Sequence, residues 1–76
     1  MNRLPTLTPR EVVSALKRAG FVEAHTRARG SHAFLWHPGT KSSTTVAMHA
    51  RDIPRPTLRA IIKQAGLTEE EFLSYL

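Results

Sequence analysis

Arg27-Ala28-Arg29-Gly30-Ser31-His32 is a glycine-containing turn between two stretches that alternate at every second residue. That arrangement predicts a β-hairpin with a histidine at its exit. Upstream, Phe21 to Arg27 places Val22, Ala24 and Thr26 on one face and Glu23, His25 and Arg27 on the other. Downstream, Ser31 to His37 places His32, Phe34 and Trp36 on one face and Ala33, Leu35 and His37 on the other. Both faces of this second strand carry apolar bulk, so alternation alone does not say which one meets the core. After the polar turn Pro38 to Ser43, Thr44 to His49 predicts a third strand, with Thr44, Val46 and Met48 opposite Thr45, Ala47 and His49. The middle of the chain is therefore expected to be a three-stranded antiparallel meander.

Helical signals flank it. Thr8-Pro9-Arg10-Glu11 is a capping box with proline at the first helical position, and Leu7 and Val12 stand where a hydrophobic staple joins. Val12, Val13, Leu16 and Ala19 follow at helical spacing until Gly20 and Phe21 supply a left-handed stop with its hydrophobic contact. Beyond the connector Ala50 to Pro54, Pro56 opens a second helix with an apolar stripe of Leu58, Ile61, Ile62 and Ala65. Arg55, Arg59 and Lys63 recur at i, i+4 and i+8 and form a basic ridge away from that stripe. Gly66-Leu67 repeats the stop, and Thr68-Glu69-Glu70-Glu71 repeats the capping box before a short last helix. The three glutamates suit the positive end of that helix and need no other role. The order describes an α+β domain, helices on one face of the sheet and the other face free.

Residues 1–76 are expected to form one domain, near the lower size limit for a core without staples. There is no cysteine for a disulfide or thiolate site, no apolar run of about 18 residues, and no apolar stretch behind Arg3 to make a secretory signal. A cytoplasmic protein is expected. The formal net charge is +5, and between Arg27 and Lys63 seven cations face a single acid, Asp52. That imbalance points to a polyanionic or acidic partner.

His32, just past the turn and flanked by Arg27 and Arg29, stands where an imidazole meets a phosphodiester held by cations. Cleavage of RNA by its own 2′-hydroxyl needs a base, an acid and positive charge near the non-bridging oxygens. A strand histidine in a wet hairpin accounts for the same residues equally well. A metal site is disfavoured, because His32 and His37 fall on opposite faces and no carboxylate or cysteine lies near enough in sequence to complete a shell. A Ser/His/Asp hydrolase is disfavoured too, since Ser31 points away from its neighbour His32.

Gly30-Ser31-His32 after a basic first strand, Val46-Ala47-Met48-His49, and Thr57-Leu58-Arg59-Ala60-Ile61-Ile62-Lys63-Gln64-Ala65-Gly66-Leu67 together resemble the HicA family of toxins. The resemblance runs from Leu7-Thr8 to Phe72. It implies a fold similar to a double-stranded RNA-binding domain, α-β-β-β-α with a short extra C-terminal helix. It also implies a type II toxin–antitoxin toxin that cleaves mRNA without a metal or small-molecule cofactor. The family's catalytic histidine corresponds to His32, with Gly30 as the turn that presents it and Ser31 between them. The family's Pro-x-His motif here reads Ala47-Met48-His49, keeping the histidine without the proline, so His49 is at most a supporting residue. RNA would be held by Arg27, Arg29, Arg55, Arg59 and Lys63, and the partner would be a HicB-like antitoxin covering the active face. Phe34 and Trp36 could stack bases or lie under that antitoxin, although at least one is expected to pack against the helices. The rival readings are a non-catalytic RNA-binding module on the same scaffold and a protein- or DNA-binding domain with a basic surface.

Overall fold

The structure is a computed structural model, and residues 4–24 and 32–76 are those it describes. The turn expected at Arg27, Arg29, Gly30 and Ser31 falls outside the described residues. The elements are α1 (Pro9–Arg18), β1 (Val22–Ala24), β2 (His32–Trp36), β3 (Ser43–Ala47), α2 (Arg55–Gln64) and α3 (Glu69–Leu73). The strands form one antiparallel sheet in the order β1-β2-β3, and the α+β class expected from the sequence holds.

Local chemistry sets the helix ends. The Glu11 amide donates to Thr8 Oγ1 at 3.2 Å while Glu11 Oε1 accepts the Thr8 amide at 2.8 Å. Thr68 and Glu71 repeat the exchange at 3.0 and 2.8 Å. Both α1 and α2 end in the same way. The Phe21 amide reaches back to the Leu16 carbonyl, and the Leu67 amide to that of Ile62. Gly20 at φ +104° and Gly66 at φ +76° make those reversals possible, since a β-carbon resists the left-handed region.

The helices lie on one face of the sheet: α1 packs on β2 and β3, α2 on β3, and α3 against α2. Ala33 and Leu35 of β2 and Val46 of β3 are buried beneath Val12, Leu16, Leu58 and Ile62, and Phe72 joins the same core from α3. Thr44, buried on this side, donates its hydroxyl to Gln64 Oε1 at 2.9 Å, so its polar group is satisfied where β3 meets the end of α2.

Burial answers what alternation left open. His32, Phe34 and Trp36 face away from the helices, with Phe34 and Trp36 each 37% exposed. The expectation that one of the two aromatics packs against the helices is overturned. Leu35 fills the space between sheet and helices, and a neighbour at i±1 must point the other way.

Element boundaries also differ from the sequence reading, β2 ending at Trp36 and β3 beginning at Ser43. α2 begins at Arg55, which places Pro56 in its first turn and Pro54 at the cap. β3 stops at Ala47, so Met48 and His49 fall in a turn. There the chain leaves the sheet and returns along α1's approach segment, where the Ile53 amide donates to the Leu7 carbonyl at 2.8 Å. Arg55 Nε adds a 2.8 Å bond to the Leu4 carbonyl. No helix among the described residues is long and apolar enough to cross a membrane.

Candidate active site

The face of the sheet opposite the helices carries the candidate chemistry. In register, His32 pairs with Ala47, Phe34 lies between Ala24 and Thr45, and Trp36 lies between Val22 and Ser43. Side chains directly opposite one another in an antiparallel pair share a face. One surface therefore carries a row of rings along β2 with small residues on either side.

At the end of that row stands a second imidazole. His49, two residues past Ala47, places its ring centroid 5.9 Å from that of His32, with the planes at 62°. Both residues are exposed. Solvent reaches the pair, and a phosphodiester approaching this face meets two groups that can each accept or donate a proton. Strand alternation alone could not have specified this meeting, because His49 is delivered by the turn after β3.

His37 belongs to the scaffold. Its ring meets Phe21 edge-on at 5.2 Å. Its Nδ1 accepts the amides of Gly39 and Thr40 at 3.0 and 3.1 Å. With that nitrogen occupied at the β2–β3 turn, and the ring on the far side of the strand from His32, it takes no part in the pair.

The basic ridge of α2 is present but partly engaged. Arg55, Arg59 and Lys63 are all exposed, yet Arg55 spends one donor on Leu4 and Arg59 forms a 3.2 Å ion pair with Glu69. A guanidinium has five N–H donors, so both retain groups for an anion. Two further arginines were not among the sequence candidates. Arg10 and Arg51 line an open cavity of about 450 Å3 with Thr8, Pro9, and Met48 and Ala50, the two chain neighbours of His49. Arg51 was visible only as one charge in a basic window. Its approach to Arg10 depends on the Leu7–Ile53 pairing, which has no local sequence signal.

Comparison with known families decides the affiliation. Residues 9–67 of the 76-residue chain match the family model described as the HicA toxin of bacterial toxin–antitoxin systems. The chain belongs to the HicA toxin family. Membership makes it a toxin of a toxin–antitoxin system, and hence one that works against an antitoxin partner. A search of curated proteins returned no match. In this HicA chain the matched segment contains all three strands, both long helices, and both His32 and His49.

Proposed function

We propose that this HicA toxin is a metal-independent endoribonuclease that cleaves mRNA in the cytoplasm and is silenced by a HicB-like antitoxin over its open sheet face. The observation that supports this reading most directly is the His32–His49 pair on that face. One imidazole takes the proton of the ribose 2′-hydroxyl. The freed oxygen attacks the adjacent phosphorus, forming a 2′,3′-cyclic phosphate and breaking the bond to the 5′ oxygen. The second imidazole, protonated, supplies the proton for that leaving oxygen. His32 is the principal catalytic residue, and His49 takes the complementary role. Arg27 and Arg29 hold phosphates beside His32, with Gly30 and Ser31 presenting it, while Arg55, Arg59 and Lys63, on the helical layer rather than the open sheet face, hold phosphates of RNA that extends round the domain.

Induced expression of the chain should arrest growth and produce new 5′-hydroxyl ends in total RNA. Full growth and intact RNA with the folded protein present would favour the non-catalytic RNA-binding module instead.

The pairing also makes a prediction about pH. With one imidazole neutral and the other protonated, the cleavage rate should be bell-shaped in pH. His49→Ala should remove one limb of the bell and lower the rate by roughly 10²-fold. A two-limbed profile retained by the variant at the wild-type rate would leave His32 to work with water alone.

A further inference from the structure

Proton transfer uses only one end of the open face. From His32 the row continues along β2 through Phe34 to Trp36, each step two residues or about 6.8 Å of strand. Both aromatic rings are partly exposed, and their cross-strand neighbours are short or slender: Ala24 and Thr45 beside Phe34, Val22 and Ser43 beside Trp36. None of the described strand residues on this face is an acid. The acid of β1, Glu23, pairs in register with core-facing Leu35, and its carboxylate meets Lys17 at 3.1 Å. Exposed π surface, imidazoles at one end and a chain of net charge +5 match a ligand that is anionic along its backbone and flat in its side groups.

We propose that Phe34 and Trp36 stack two successive bases of single-stranded RNA, both on the same side of the bond cleaved at His32. The inference rests on the ribonuclease reading and adds the strandedness and register of the substrate. A duplex cannot use such a row, because its bases are already stacked within the helix, whereas unpaired bases can be splayed onto aromatic side chains. The aromatics therefore select an unpaired stretch and set which bond reaches the histidines. Stacking tolerates any base, so the row imposes strandedness more strongly than sequence.

Trp36 is the only tryptophan in the chain, which makes its fluorescence a direct probe. A 2′-O-methylated single-stranded oligonucleotide, which cannot be cleaved, should quench the wild-type emission, and the same sequence as a duplex should not. Phe34→Leu should weaken the affinity read from that quench by about 5- to 150-fold. With cleavable RNA, Trp36→Leu should raise KM while leaving kcat near wild type, and Trp36→Phe should restore KM. Abasic nucleotides at the two positions on one side of the cleaved bond should weaken binding, and those on the other side should not.

Absent quenching and unaltered KM in a toxin that still cleaves RNA would overturn the stacking proposal and leave the ribonuclease standing. Quenching by single strands without any cleavage would retain the stacking surface and remove the ribonuclease. Variants at Phe34 and Trp36 that keep RNA affinity but lose the antitoxin would assign the row to the protein partner and overturn the proposal.

Discussion

His32→Ala is expected to lower the rate of RNA cleavage by roughly 10²- to 10⁴-fold, with RNA affinity little changed. The loss follows from the position of the imidazole, exposed at the end of β2 with His49 as its ring neighbour. A truncated side chain can neither take the 2′-hydroxyl proton nor protonate the leaving oxygen. The core should be unaffected, because His32 lies on the solvent side of the sheet while Ala33 and Leu35 form the buried side. Single-turnover cleavage of a labelled RNA, together with thermal unfolding of the same preparation, checks both halves. In cells the variant should permit growth where the wild type arrests it. A variant that cleaves at the wild-type rate would remove His32 from the mechanism.

Leu35→Ala is expected to weaken toxicity by a different route. Leu35 is fully buried on the central strand and paired on both sides, and truncating such a leucine costs about 2–5 kcal/mol. A domain of this size has a total stability of about 4–11 kcal/mol. Denaturant unfolding should therefore show a large fraction of the stability lost, with the melting temperature lowered by about 10 °C or more. What activity remains should track the folded fraction, whereas His32→Ala should lose activity with its fold intact. A Leu35→Ala protein as stable as wild type would mean that the sheet is not clamped to the helices through this residue.

The helix caps and stops were legible because each is local. Thr8 with Glu11, Thr68 with Glu71, and the Gly20-Phe21 and Gly66-Leu67 pairs carry their geometry within a few residues, and each has the geometry its residues imply. The strand alternation correctly separated Phe34 and Trp36 from Leu35. It could not say which set faced the helices, since that depends on tertiary packing of apolar groups present on both sides. His32 was legible as a candidate from its basic surroundings and from the family resemblance. Alternation allowed His49 to share the open side of the sheet with His32, but their 5.9 Å separation depends on the strand register and on the turn at Met48 and His49 that replaces the expected end of β3. The engagement of Arg55 with Leu4, and the approach of Arg51 to Arg10, arise from contacts between segments more than forty residues apart, for which no local pattern exists.

The bridge between Leu7 and Ile53, together with the Arg55 bond to the Leu4 carbonyl, joins the segment before α1 to the connector that follows His49. The two segments are not a detachable margin, because Leu4, Leu7 and Ile53 are all buried in the same core as Leu16, Leu35 and Leu58. Releasing residues 4–7 would withdraw Leu4 and Leu7 from that core and free the connector that follows His49, so the placement of the second imidazole is tied to the packing of the core itself. Damage to the packing of Leu4 or Leu7, far from the sheet's open face in sequence, is accordingly expected to disturb the meeting of the imidazoles as well as the core.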